Sequence, residues 1–129
     1  EEGVNLVWHV FNDMVGGEIY VKKIPSMKVT DIAKAINHKA KQEIIGIRPG
    51  EKIHEEMISS GDAPYTYEYD SHFKILPSIH SWAVDPNRIN DGVKVSEDFT
   101  YTSDNNCDWM DIDTLKNWIE QNSKTIGQI

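Results

Sequence analysis

The chain has 129 residues, 39% of them hydrophobic and 26% charged, which fits one globular domain and leaves little room for two. This ordinary composition excludes disordered, collagen-like and disulfide-scaffold classes, and the apolar runs fall far short of the ~20 residues that span a bilayer. The net charge of −8 disfavours non-specific nucleic-acid binding, and the one cysteine, Cys107, permits no internal disulfide and fits a reducing compartment.

Residues 1–14 place Val4, Val7, Phe11 and Met14 at helical spacing, with Val10 beside them, and Gly16-Gly17 supplies the left-handed turn that ends such a helix. The segment begins without an initiator Met or secretory signal, so a piece of a longer protein is expected. Its apolar face has no obvious partner in so small a chain, which predicts packing on a neighbour and self-association when isolated. Residues 18–23 (EIYVKK) are short and β-rich, a predicted strand. After the Pro25-Ser26 break, Thr30-Asp31 offers an N-cap for a helix reaching about Lys39, with Ile32, Ala33, Ile36 and Ala40 on its apolar face.

A second strand is predicted at 43–47. Pro49-Gly50 then turns the chain into a short helix at 52–58. Residues 59–64 read as loop, and 66–69 and 73–76 as short strands. Beyond Pro77 the pattern weakens, so 84–129 is expected to be a less regular tail of one 1–129 lobe. It ends in a helix at 112–121, carrying Ile112, Leu115 and Ile119 and capped by Asp111. The fold class is α+β.

Charge is unevenly spread. Residues 22–52 hold eight basic side chains (Lys22, Lys23, Lys28, Lys34, Lys39, Lys41, Arg48, Lys52) against Asp31, Glu43 and Glu51, so this stretch carries +5 and the rest −13. Either a solvated face or an anion-facing surface accounts for it.

Several catalytic signatures are missing. No Gly-x-Gly-x-x-Gly, Walker or Gly-x-Ser-x-Gly sequence occurs, and no tyrosine has a lysine four residues later. His54-Glu55-Glu56-Met57-Ile58 lacks the second histidine of a zinc-protease helix, and the scattered histidines predict no metal site. No catalytic residue is assigned. What stands out is Ile45-Gly46-Ile47-Arg48-Pro49-Gly50-Glu51-Lys52, in which a strand delivers Arg48 at its carboxyl end and a Pro-Gly turn presents Glu51. Arginine's planar fork binds two phosphate oxygens, and a nearby carboxylate can accept both hydroxyls of a ribose. A plain surface ion pair around a turn is the competing reading. His54 is expected to pack on its helix, Glu55 and Glu56 to be solvated helix residues, and Tyr65, Tyr67 and Tyr69 to alternate along a strand. Trp8, Trp82, Trp109 and Trp118 are expected as core anchors, and Cys107 as an unactivated thiol in a polar loop.

Gly16-Gly17-Glu18-Ile19-Tyr20-Val21, Lys23-Ile24-Pro25-Ser26-Met27-Lys28, Ile44-Ile45-Gly46-Ile47-Arg48-Pro49-Gly50-Glu51-Lys52, His54-Glu55, Met57-Ile58-Ser59 and Phe99-Thr100-Tyr101-Thr102-Ser103-Asp104-Asn105-Asn106 together resemble the C-terminal third of bacterial nucleotide-sugar 4,6-dehydratases. The resemblance is strongest to the inverting branch acting on UDP-N-acetylglucosamine in pseudaminic acid and surface-glycan biosynthesis, and weakest over 81–95. It implies a cytoplasmic extended short-chain dehydrogenase with an N-terminal NADP-binding Rossmann domain and a C-terminal substrate lobe, expected to be a homo-oligomer. Such an enzyme oxidises C4 of the sugar, eliminates water across C5 and C6, and returns the hydride to C6. The resemblance places the catalytic groups outside this chain and leaves to Arg48 and Glu51 the diphosphate and ribose of a UDP-sugar. The isolated chain is then expected to be inactive and to bind no NADP. A dehydratase/5-epimerase, a C4-epimerase and a non-catalytic binding module remain as alternatives.

Overall fold

In the computed structural model, which describes residues 2–126, the elements run α1 (Glu2–Asp13), β1 (Ile19–Lys22), α2 (Val29–Ile36), β2 (Glu56–Ile58), β3 (Thr66–Glu68), β4 (His72–Ile75), α3 (Pro86–Ile89), β5 (Val93–Lys94), β6 (Tyr101–Thr102) and α4 (Ile112–Ile126). Single 3₁₀ turns stand at Ala63–Tyr65 and Trp82–Val84. Helices and antiparallel strands mix as the sequence predicts for an α+β chain. Where the sequence suggests one lobe, the chain divides into two compact units, one made of residues up to Lys23 with Glu56–Thr102, the other of Ile24–Glu55 with residues from Ser103 onward.

The first unit is built on a four-stranded antiparallel sheet in the order β1-β4-β3-β5, beside a two-stranded pair of β2 and β6. Registers such as Val21 opposite Phe73 and Thr66 opposite Ile75 fix which side chains face inward. Ile58, Phe73, Ile75 and Tyr101 form the core, with Val21, Met57, Tyr65, Val95 and Phe99 packed on it. Phe73 sits between Phe99 and Tyr101 at ring-centroid distances of 5.2 and 5.1 Å. Helix α1 stops at Asp13, and the predicted diglycine follows with φ of 138° at Gly16 and 82° at Gly17. A Cβ on Gly17 would also lie 3.0 Å from Pro77 Cγ, so both conformation and space require glycine there. The apolar residues of α1 do not enter the core: Val4, Val7, Trp8 and Phe11 are all exposed.

The second unit pairs α2 with α4, where Leu115 is buried. A short parallel bridge joins Ser26 to Trp109 through Ser26 N–H donating to the Asp108 carbonyl at 2.8 Å and Met110 N–H donating to the Ser26 carbonyl at 2.9 Å. Asp111 caps α4 as its sequence position predicts, its Oδ1 accepting from Thr114 N–H at 2.7 Å, and the helix runs five residues beyond the predicted end.

Four expectations are corrected. The cap of α2 is Lys28, with extended backbone and no side-chain bond, and Thr30 and Asp31 lie inside the first turn. Residues 43–47 form no strand among the described residues, because nothing pairs with them. The predicted helix at 52–58 is instead a bend followed by β2. There Ile58 must reach the core opposite Tyr101, a long-range demand that local propensity does not encode. The tryptophans are not core anchors: Trp8, Trp109 and Trp118 are exposed and Trp82 is only half-buried.

Candidate functional site

The candidate residues Arg48 and Glu51 lie in the second unit, on a tight turn that the sequence prescribes locally. Proline at 49 presets φ, and glycine at 50 adopts the φ of 86° that a type II turn requires. Glu51 N–H closes the turn on the Arg48 carbonyl at 3.1 Å. The Glu51 carboxylate then reaches back, Oε2 accepting from Arg48 N–H at 2.8 Å and Oε1 from Arg48 Nε–H at 2.8 Å. The structure therefore brings the two together as the ion pair of the simpler sequence reading.

That pair is mostly in water, with 77% of the Arg48 side chain exposed, so it contributes about 0–1 kcal/mol to stability. Its arrangement leaves chemistry available. Only the Nε–H of the five guanidinium donors is engaged among the described residues, and each Glu51 oxygen keeps a lone pair. An anion could take the outer edge of the guanidinium while Glu51 holds the inner edge and fixes its plane. An open hollow of about 550 Å³ adjoins the turn, lined by Ile47, Gly50, Glu51, Lys52, Ile53 and Glu55.

His54 follows on a bend, not a helix, and is exposed, so it does not pack as expected. Its Nε2 lies 3.9 Å from Asp104 Oδ2. Glu55 is anchored through its backbone, accepting from Ser103 N–H at 2.8 Å and donating to Ser103 Oγ at 3.0 Å. Glu55 and Glu56 are solvated, the latter in a strand where a helix is predicted. Of the basic stretch, Lys22 pairs with Glu2, Lys23 with Glu68 and Lys34 with Asp31, all at or near the surface. Cys107 is exposed in a polar loop, as expected.

The sequence reading missed a buried polar cluster in the first unit. Lys74, in the middle of β4, is only 1% exposed; its ammonium pairs with Asp13 of α1 at 2.5 Å and donates to the Arg88 carbonyl at 2.9 Å. It also lies 5.3 and 5.0 Å from the ring centroids of Tyr20 and Tyr69. Tyr20 donates its hydroxyl to Asp13 at 2.6 Å. Burial acts to raise the Asp13 carboxyl, but the bonds from Lys74 and Tyr20 outweigh it and hold the group below the usual carboxylate range. Burial together with Asp13 pushes the Tyr20 phenol well up, and burial with the nearby carboxylates pushes Tyr69 up to about 12.

His72 stacks with Tyr69, whose ring is parallel at 4.7 Å, and with Tyr20 at 5.6 Å, and meets His9 edge-on. Burial first, then electrostatic interaction with His9 and Lys74, depresses its pKa. A comparable pair ties Glu18 to Arg88 at 2.5 Å. There burial raises the carboxyl, while the backbone N–H groups of Glu18, Gly16 and Val15, followed by the Arg88 charge, bring it below its ordinary value. The available signal was a lysine inside the apolar run His72-Phe73-Lys74-Ile75-Leu76, where a charge is misplaced unless paired. Tyr20 is bonded to Asp13, Tyr69 donates to the Ile89 carbonyl at 2.6 Å, and Glu18 is held by Arg88 and backbone N–H groups, so these groups serve the structure. Among the described residues no group of three or more His, Cys, Asp or Glu side chains is placed to hold a metal ion, and no helix is long and apolar enough to cross a membrane.

Comparison with known proteins agrees on the lineage. A UDP-N-acetylglucosamine 4,6-dehydratase (inverting) of Campylobacter jejuni is 47% identical over 114 residues, covering 84% of this chain and 34% of the relative. A UDP-glucose 4-epimerase of Rickettsia canadensis is 33% identical over 78 residues, covering 57% of this chain and 23% of the relative. The chain thus spans about a third or less of the length of these relatives. The crystal structure of Pen from Bacillus thuringiensis matches with a TM-score of 0.72 at 24% identity, covering 95% of this chain and 36% of that one, and so shares the fold. The model of the family described as polysaccharide biosynthesis protein matches residues 1–77, more than half of the chain, and the chain belongs to that family.

Proposed function

We propose that this chain is the substrate-binding portion of a nucleotide-sugar 4,6-dehydratase of the extended short-chain dehydrogenase type. Its substrate would be UDP-N-acetylglucosamine, and Arg48 and Glu51 would hold the diphosphate and ribose. The observation that carries the reading is the 47% identity to the Campylobacter jejuni dehydratase. The turn geometry supports the residue assignment: the pair is pre-aligned yet weak in water, so exchanging one water-exposed edge of the guanidinium for a phosphate costs little. The epimerase alternative rests on lower identity over a shorter span.

The cofactor of such an enzyme, NADP, supplies a reversible hydride acceptor. Its pyrophosphate is held where a strand turns into a helix through closely spaced glycines. Between β1 and α2 stand Lys23-Ile24-Pro25-Ser26-Met27-Lys28, without a glycine, so these residues do not fit that cradle and its site is assigned to the remainder of the longer polypeptide. The chain's own work in this reading is to bind and orient. Arg48 neutralises the diphosphate and Glu51 fixes the ribose, and the hexose projects toward catalytic groups carried elsewhere.

The test is incubation of the full-length polypeptide carrying this segment with UDP-N-acetylglucosamine and NADP in D₂O, followed by NMR. A UDP-linked 4-keto-6-deoxy sugar with deuterium at C5 and inverted C5 configuration is expected. Conversion to the C4 epimer without loss of water would replace the dehydratase reading by the epimerase one.

A further inference from the structure

Residues 37–55, between α2 and β2, carry the Arg48–Glu51 turn and form no helix or strand among the described residues. The arm is held near its two ends. At one, Gln42 Nε2 donates to the Thr30 carbonyl of α2 at 2.9 Å. At the other, Ser103 takes both backbone groups of Glu55. Its N–H donates to the Glu55 carbonyl at 2.8 Å, and its Oγ accepts from the Glu55 N–H at 3.0 Å. Between these points the hydrogen bonds of residues 43–54, among the described residues, all lie within the turn itself. His54 and Asp104, 3.9 Å apart, are too distant to add one.

Ser103 can anchor the arm because the chain after it is itself fixed. Asn106 Nδ2 donates to the Ile24 carbonyl at 2.7 Å and to Ser26 Oγ at 3.1 Å, and Ser26 bridges to Asp108 and Met110. Glu55, gripped in this way, stands four residues past Glu51 and lines the hollow beside the turn, which Ser103 does not line. Ser103 and Asn106 both belong to the 99–106 block of the sequence, for which the contacts to diphosphate and ribose leave no role.

We propose that Ser103 is a positioning residue for nucleotide binding: by gripping both backbone groups of Glu55 it holds the arm on which Arg48 and Glu51 meet the diphosphate and ribose. The inference rests on the proposed role of those two residues. An arm fixed near both ends samples fewer positions, so less order has to be imposed on Arg48 when the nucleotide binds. Ser103→Ala keeps the N–H bond but removes the Oγ acceptor, which leaves the Glu55 N–H without its partner.

UDP titration and hydrogen exchange on the full-length polypeptide test this. Ser103→Ala should weaken UDP binding roughly three- to tenfold, the range for one lost hydrogen bond. It should raise KM for UDP-N-acetylglucosamine by the same factor at unchanged kcat, and amides within 43–54 should exchange faster than in the parent. Ser103→Thr, which keeps the hydroxyl, should restore all three, and the thermal midpoint should stay nearly constant. In an Arg48→Ala background, adding Ser103→Ala should cost less than in the parent, because the arm then has less to position. Unchanged UDP affinity in folded Ser103→Ala overturns the proposal, whether or not the thermal midpoint falls. Persistence of the full loss without Arg48 also overturns it. A parent that binds no UDP removes the nucleotide reading, and exchange alone then decides. Faster exchange of 43–54 in Ser103→Ala keeps Ser103 as the anchor of the arm, and unchanged exchange removes it.

Discussion

Lys74 Nζ lies 2.5 Å from Asp13 Oδ2, joining the middle of a buried strand to the last turn of α1. Removing Asp13 leaves the ammonium buried without its counter-ion, with only the Arg88 carbonyl and two aromatic faces beside it. Asp13→Ala is therefore expected to cost about 3 kcal/mol, the low end for a broken buried pair because Asp13 keeps a partly open side. The double variant Asp13→Ala with Lys74→Met, apolar at both positions, should recover most of that loss. Urea denaturation of the two variants and the parent chain measures this, and a double variant no more stable than Asp13→Ala would contradict the pairing account.

Acid should weaken the first unit in two steps. His72 has a depressed pKa in the folded state, so the unfolded chain binds more protons once pH falls below the ordinary histidine value of 6.5. Stability therefore declines from pH 6.5 downward until the folded His72 also titrates. Asp13 and Glu18 are depressed below 3.8 and 4.5, so their contributions are complete above those values and are lost as pH falls through the folded ones. His72→Phe keeps a flat ring that can stack with Tyr20 and Tyr69 but cannot titrate. It should flatten the unfolding free energy between pH 7 and 5 and leave the loss below pH 4.5. An unchanged slope between pH 7 and 5 would contradict this.

The apolar residues Val4, Val7, Trp8 and Phe11 lie exposed on α1, so the isolated chain should self-associate through them. Sedimentation velocity over a hundredfold concentration range should show a rising mean mass. Val7→Lys with Phe11→Glu should abolish the rise without lowering stability by more than about 0.5 kcal/mol, since neither side chain is buried. A monomer at every concentration would contradict the prediction.

Much of the fold was legible where local pattern and tertiary demand agree. Helical spacing with a diglycine stop marks α1, short β-rich runs mark β3 and β4, and an aspartate before an apolar repeat marks the start of α4. Residues 52–58 depart from the predicted helix because His54-Glu55-Glu56 favours a helix only locally, while Ile58 is drawn into a strand opposite Tyr101, more than forty residues away. The composition of residues 43–47 predicts a strand, but a strand exists only when another strand accepts its hydrogen bonds. The size of the tryptophans points to the core, yet Trp8 and Trp118 lie on helices with 64% and 46% of their surface exposed. The candidate site was legible because Pro49, Gly50 and the charges flanking them are local instructions, needing no distant partner to form the turn.

The central claim is that Arg48 grips a nucleotide diphosphate and is more than half of a surface ion pair. Calorimetric titration of UDP into the full-length polypeptide tests it most directly. Arg48→Ala should lose about 2–4 kcal/mol of affinity, roughly 30- to 1,000-fold. Arg48→Lys should recover only part, because an ammonium lacks the fork. Glu51→Ala should cost about 1–3 kcal/mol through lost hydrogen bonds to the ribose. The thermal midpoint should stay nearly constant, since an exposed pair contributes little to folding. A folded Arg48→Ala protein that binds UDP as tightly as the parent would contradict the account.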